Sequence, residues 1–367
     1  VAATLTALAS SSPAPSPSDT PAPPSALLPH SLYYLSKNAA GIYQVFRLEA
    51  DGVTVHQLTD ELADVQGFDV LPADGRIAFA ANNQLIVAGA DGSGRTVVVD
   101  GGPTSDETPY SGRLFSPVWV PDGTAIAFHY NGLSFYQFGP GTVATVLTDQ
   151  INPNSGFPIL QEGYAPVEYS PDGTKLLVSV QYYEAGTLGV YNPTGGSLTK
   201  FTSPTGGVIL GTSAWTPDSA SVLLASQYLG YVSPGLDRYN ASDGSGLALI
   251  ASPSETDLNF VEAPLLAPDG QLYYYFSHLT SASAGGNVPL QMVRSAPDGV
   301  TGRAVLRPES FTLIEALWAP DASLAVVDQL PPGDLYIPDG PLSLVYADGR
   351  PIVPLPVAAA HSLRWGP

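Results

Sequence analysis

The chain has 367 residues, no cysteine and a formal net charge of −20, with 13 lysines and arginines against 33 aspartates and glutamates. The lack of thiols excludes disulfides, thiolate metal sites and thiol nucleophiles, and a field of this sign repels nucleic acid. No apolar run approaches the roughly 18 residues needed to span a bilayer as a helix.

Residues 1–29 contain seven prolines and six serines, with almost no large apolar side chain between Leu8 and Leu27. Such a segment buries too little apolar surface to offset the entropy of ordering it, and reads as an extended tether. Val1 stands where an initiator methionine would be. Together these features lead us to expect a processed, secreted or lipid-anchored protein with a Pro/Ser spacer, held by a neighbouring subunit or a partner surface.

From residue 30 to 367 one phrase recurs. At Tyr169 to Val180 a bulky residue precedes Pro-Asp-Gly and an apolar strand follows; proline presets the turn, and glycine accepts the positive φ that reverses the chain. Copies aligned on the proline end at Pro72, Pro121, Pro171, Pro217, Pro268 and Pro320, and a seventh is cut off at Trp365-Gly366-Pro367. Successive prolines lie 49, 50, 46, 51, 52 and 47 residues apart, the range of propeller and solenoid repeats. In each unit a second strand follows, often ending in Asp-Gly as at Asp91-Gly92, Asp243-Gly244 and Asp298-Gly299, and a third strand closes the unit. Each unit is thus a four-stranded antiparallel meander. The seventh stops after its first strand, whereas Leu32 to Leu35 begins a unit at its second. Joined, the two ends complete one blade and remove an exposed edge. The expected fold is all-β: a seven-bladed β-propeller closed by strands from both termini. Asp218-Ser219 and Asp321-Ala322 depart from the glycine pattern, which leaves the turn type there open.

The Ser-Pro-Asp-Gly-Thr-Lys-Leu-Leu-Val phrase, with its following strand, Asp-Gly turn and Leu-Thr ending, resembles the WD-like propeller repeats of the TolB type, also known from propeller domains of some peptidases. The resemblance covers residues 30–367 and is specific for fold; such repeats serve scaffolds, sensors and enzymes alike. In the propeller peptidases it points to, the nucleophile belongs to a separate α/β domain, for which no residues remain here.

The Pro-Asp-Gly and Asp-Gly turns fall on one face of the disc. The other face carries the expansive connections Gly101 to Arg113, Gln150 to Gly163, Ser226 to Gly235, Ser277 to Pro289 and Gln329 to Pro341. Long loops on a rigid scaffold concentrate binding residues, and here they bring Tyr110, Phe157, Tyr182, Tyr183, Tyr228, Tyr231, His278 and Tyr336 among Asp106, Glu107, Glu162, Glu184, Asp334 and Asp339. These eight are the candidate binding residues, suited to a protein interface or to stacking on sugar rings; the alternative is that they fold back over the blade edges. Near the axis, Asp69, Glu168, Glu262 and Glu315 approach with Arg364 and His361. They read either as a ligand or cation site or, being out of register, as a solvated channel lined by ordinary charges. Trp119, Trp215, Trp318, Trp365 and Tyr169 read as packing between blades.

The five histidines are scattered without a zinc-hydrolase spacing, and Gly211-Thr212-Ser213-Ala214-Trp215 lacks the second glycine of a nucleophile elbow. Asn240-Ala241-Ser242 matches a glycosylation acceptor, a pattern too common to carry weight. The expectation is a non-enzymatic protein-interaction scaffold outside the cytoplasm or a subunit of a homo- or hetero-oligomeric cell-surface assembly, with no cofactor or metal. The alternative is a lyase or hydrolase acting on a saccharide or lactone, or a saccharide-binding protein, with its site at the channel mouth.

Overall fold

The computed structural model describes residues 26–152, 158–204, 208–209, 211–226, 234–280, 288–330 and 337–367. Its regular structure is entirely strand, numbered β1 to β29 along the chain, in seven sheets of consecutive antiparallel strands. Blade 1 pairs β29 (His361–Trp365) with β1 (Leu32–Lys37), β2 (Tyr43–Leu48) and β3 (Val55–Gln57), in that order from the axis outward. Leu32 lies opposite Trp365 and Tyr33 opposite Arg364, so the shared closing blade read from the sequence is present.

The innermost strands of blades 2 to 7 are β4 (Val65–Val70), β8 (Leu114–Trp119), β13 (Ile159–Tyr169), β17 (Gly211–Trp215), β21 (Leu258–Leu266) and β25 (Leu313–Trp318). Each runs toward its Pro-Asp turn. At these turns the aspartate Oδ1 accepts the N–H two residues on, as Asp122 does from Thr124, Asp172 from Thr174 and Asp269 from Gln271. Ser219 and Ala322, standing where other copies have glycine, take the same left-handed conformation, with φ of 57° and 58°. Their N–H groups donate to Thr216 O and Ala319 O just as Gly173 donates to Ser170 O. The turn type left open by the sequence is therefore unchanged, and two side-chain-bearing residues carry the strain that glycine avoids.

Seven apolar clusters, one at each seam between neighbouring blades, take the place of a single core. A second strand is covered on both faces by adjacent blades, so β5 (Ile77–Ala81) is buried at all five positions, the continuous apolar pattern of a sheet interior. The tryptophans pack at these seams as expected. Trp119 joins Leu71, Ala80 and Leu85 of blade 2, Trp215 joins Leu177 and Phe201 of blade 4, and Trp318 joins Tyr273 and Tyr275 of blade 6. Leu28 is buried at the seam of blades 1 and 7, and the Leu27 and Leu28 N–H groups both donate to Ala50 O, at 2.7 and 3.0 Å. Contact with the ring thus begins inside the segment read as tether.

One connection differs from the sequence reading. Gln150 to Gly163 is not simply a loop: β12 (Gln150–Asn152) pairs with Ile159 to Glu162, the first half of the eleven-residue β13. Blade 4 therefore has five strands. The sequence hid the pairing because the three-residue strand Gln150–Asn152, around Ile151, is too short to show an alternating pattern, and it is followed by Pro153 and Asn154. Nor is every connection on that face long. Asn82 and Asn83, with φ of 50° and 58°, turn β5 into β6 (Gln84–Ala88), and Asn131-Gly132 does the same in blade 3.

Candidate functional site: a loop face and an axial channel

Among the described residues, the loop face is most built up over blades 2 to 4. Asn83 organises it: its Nδ2 donates to Gly102 O (2.9 Å) and Gly112 O (2.7 Å), while its Oδ1 accepts the Leu114 N–H (2.8 Å). One amide thus ties both ends of the 101–113 connection to a two-residue hairpin, and Asn131 Oδ1 adds a bond from Gly112 N at 2.7 Å. Tyr110, half-buried, lies on this pinned loop. Next around the ring, the arm of blade 4 is braced at its base. Tyr164 OH donates to Glu162, Lys200 Nζ donates to Glu162 Oε2 at 2.6 Å, and Lys200 lies over the Tyr182 ring. Burial opposes ionisation of Glu162, yet these two donors hold its carboxyl below the usual range. Tyr182 N donates to Ala185 O in the adjoining turn, leaving Tyr183 48% exposed at its tip. Tyr110 thus stands on the connection between blades 2 and 3, and Tyr182 and Tyr183 share the second-to-third-strand turn of blade 4.

His278 lies apart on blade 6, exposed, with Nε2 3.4 Å from Asp257 Oδ1 and Nδ1 3.0 Å from Asn259 Oδ1. Phe157, Tyr228, Tyr231 and Tyr336 fall outside the described residues. Beneath the arm, a buried His129 stacks on Phe115 with centroids 4.1 Å apart. Its Nδ1 is 2.9 Å from Tyr164 O and its Nε2 3.5 Å from Asp149 Oδ2. Burial lowers the His129 pKa and raises that of Asp149, favouring the neutral form of the pair.

The channel residues are more connected than the sequence suggested. Asp69 Oδ2 of blade 2 accepts the Trp119 N–H of blade 3 at 2.7 Å. Glu315 of blade 7 accepts the Leu363 N–H of blade 1 at 3.0 and 3.1 Å. Thr212 Oγ1 of blade 5 accepts the Ala263 N–H of blade 6 at 3.2 Å and donates to Glu262 Oε2 at 3.0 Å. These are staples between innermost strands. They are aided by bulges at Ser116, Ala263 and Ser362, each five residues before a motif proline and each with φ between 47° and 58°, a local kink that re-aims backbone and side chain. Asp69, Glu168 and Glu315, brought from three blades, all feel the charge of Arg364.

Burial raises every one of these carboxyls. Arg364 and backbone donors pull Asp69 and Glu315 back down. Glu168 is pushed up to about 7 by burial with help from the Asp69 charge, against the pull of Arg364, and its buried Oε1 has no hydrogen-bond partner. Glu262 reaches about 7 by burial, opposed by Thr212. On the short-turn side the channel widens into a cavity of about 530 Å³ lined by Glu168, Tyr169, Trp215, Trp318 and Arg364 among others. Among the described residues no three His, Asp or Glu side chains are placed to hold a metal ion. The unequal register noted in the sequence is real, but bulges and interblade bonds make these charges structural links as well as channel lining.

No protein-family model matches the chain, and no curated protein matches it. Its fold has many counterparts. A functionally unknown protein from Desulfotomaculum acetoxidans is 12% identical, with 92% of this chain and 99% of that one aligned at a TM-score of 0.56. The oligogalacturonate lyase of Vibrio parahaemolyticus is 12% identical over 89% of this chain and 85% of that one, at 0.53. TolB from Acinetobacter baumannii is 17% identical over 92% of this chain and 82% of that one, at 0.45. At such identities the likeness is one of fold: a seven-bladed β-propeller.

Proposed function

We propose that this propeller is a non-enzymatic interaction scaffold that works outside the cytoplasm and engages a protein partner through the loop face of blades 2 to 4. The observation that carries the reading is the build of that sector among the described residues. A loop pinned by Asn83, a braced β-arm on blade 4, and the exposed Tyr183 turn all stand on the loop face of blades 2 to 4. Aromatic side chains on rigid supports bury large area at low entropic cost and dominate interface energies. The Pro/Ser-rich composition of the N-terminal segment supports a tethered, extracytoplasmic setting. The test is capture of partners from an extracytoplasmic extract, followed by affinity measurement. Tyr183→Ala is expected to weaken binding by roughly 2 kcal/mol, about 30-fold, if Tyr183 is a central anchor, with an unchanged melting temperature. Asp91→Asn on the opposite face serves as control and leaves affinity intact. Equal affinity of the Tyr183→Ala variant and the parent would remove the loop face from consideration.

A second reading is kept for one feature. Glu168, near pH 7 in its titration and with an unpartnered oxygen at the channel cavity, has the properties of a general acid or base. Turnover of a saccharide or lactone that is lost in Glu168→Gln would favour an enzyme, and metal analysis of the purified protein would show whether an ion takes part.

A further inference from the structure

The short-turn face carries an apolar groove at the seam of blades 3 and 4, about 730 Å³ in volume. Phe135, Phe138, Tyr169 and Val120 form its floor and sides, with Pro140 and Pro193 from the two third-to-fourth-strand turns at its rim. Phe138 bounds the groove on the side toward blade 2, where its ring stacks on Trp119, with centroids 5.6 Å apart and planes within 11°, and meets Tyr136 edge-on at 5.1 Å at the seam of blades 2 and 3. The groove itself is lined by the Phe135 and Tyr169 rings with Pro140 and Pro193, the surface chemistry that receives polyproline II segments.

We propose that the occupant of this groove is the chain's own N-terminal segment, centred on Pro13-Ala14-Pro15-Ser16-Pro17. Three observations point to it. The first is composition. Alternating proline in Pro13 to Pro17 favours polyproline II without any packing partner, so little entropy remains to be lost on docking. The second is where the segment leaves the ring. Leu27 and Leu28 bond to Ala50 O, and the Leu27 side chain lies against Gly52. That places the exit at the β2–β3 turn of blade 1, on the same face as the groove. With strands about 4.8 Å apart, a four-stranded blade is about 15 Å deep, and the chord from this turn to the seam of blades 3 and 4 is roughly 30 Å. Ten to fourteen residues of polyproline II, at about 3.1 Å each, reach roughly 31 to 43 Å, and ten to fourteen residues before Leu27 are Pro17 to Pro13. The third is charge. In a chain of net charge −20, residues 1–25 contain a single charged side chain, Asp19, so this segment approaches the acidic ring with little repulsion.

Docking would make the segment a strap across the short-turn face, with residues 18–26 as its span. The proposal concerns the face opposite to the one assigned to partner binding and stands independently of that assignment.

The absence of native cysteine permits a direct test on the full chain. Ser16→Cys and Thr194→Cys, the latter exposed on the groove rim, are spin-labelled and their separation is measured by pulsed dipolar spectroscopy. A narrow distribution below about 25 Å that persists on tenfold dilution, and that broadens and lengthens when Thr124→Arg places a guanidinium in the groove, supports the strap. Thr124 is exposed, and circular dichroism together with the melting temperature reports whether that variant keeps its fold; Gln137→Arg, on the same groove wall, is the replacement if it does not. A broad distribution in the parent overturns the proposal. So does a short distance indifferent to both arginine variants. A short distance seen only when singly labelled chains are mixed overturns it as well, because the occupant would then be the segment of a second copy.

Discussion

Removing residues 361–367 tests ring closure most directly, because it deletes β29 with only Gly366, which donates to Ser31 O, and Pro367 beyond it. The deleted strand carries Leu363, fully buried between blades 1 and 7, and Trp365, whose indole donates to Trp318 O at 2.7 Å. Losing a buried leucine and a tryptophan from packed sites costs about 2–5 and 3–5 kcal/mol. Leu32 and Tyr34, now buried, would also gain an open side. A loss of about 5–10 kcal/mol is comparable with the whole stability of an ordinary domain, about 5–15 kcal/mol. At about 2.1 cal/mol/K per residue, a ring of this size has an unfolding entropy of roughly 0.7 kcal/mol/K, so the melting temperature should fall by about 7–14 °C. Leu363→Ala, at about 2–5 kcal/mol, should lower it by roughly a quarter to a half as much. A further sign distinguishes this account from generic damage. Arg364 and the Leu363 N–H hold down the Glu315 pKa against burial; without them it rises, and the truncated protein should lose more stability as pH rises. The assay is calorimetry of the three proteins at pH 5.5 and 8. A melting temperature unchanged by truncation, or a small separate transition beside an unaltered main one, would show that β29 is a dispensable edge and not the closing strand.

Three further outcomes follow from local geometry. Burial raises Glu168 and Glu262 to about 7; in Asp328 burial, then the charges of Glu315 and Asp339, raise the pKa to about 8 against a donor from Gly340. These folded-state values exceed the unfolded ones, so the folded chain binds more protons, and its stability falls as pH rises from about 4.5 through 8. Asp328→Asn, which keeps the shape and removes the titration, should raise the melting temperature at pH 8 and flatten its slope; an identical slope in the variant would refute the assignment. Gly92 and Gly94 both have left-handed φ, 80° and 69°, but a Cβ at Gly92 would lie 2.2 Å from Leu58 O and one at Gly94 meets nothing within 4 Å. Gly94→Ala should therefore cost about 1 kcal/mol and Gly92→Ala at least about 3, read by denaturant unfolding; equal costs would contradict the turn packing. Trp318→Phe removes the bond from Nε1 to Ala263 O, 2.7 Å, and leaves that partly buried carbonyl short of a donor. A destabilisation of about 1–3 kcal/mol is expected, and a neutral result would show that water replaces the indole.

The sequence alone determined the number of blades, the inside-to-outside order of strands and the closing of the ring by both ends. These depend on short-range chemistry that repeats: a Pro-Asp-Gly turn reverses the chain wherever it occurs, and an apolar run beside it has only adjacent blades to pack on. Even where serine and alanine replaced glycine the turn persisted, because the bonded turn and the buried seam outweigh one left-handed residue. What only the tertiary structure decided lies between blades. The arm formed by Gln150 to Asn152 and Ile159 to Glu162 needs a pairing that two segments of three and four residues are too short to announce. The Asn83 amide matters because the 101–113 connection returns to it after about thirty residues. Asp69, Glu168 and Glu315 stand about 100 to 250 residues apart from one another along the chain, and only the closed ring aims them toward Arg364, where distance and burial, which no spacing of residues encodes, set their charge. The groove at Phe138 and Tyr169 arises in the same way, from the angle at which two wedges meet.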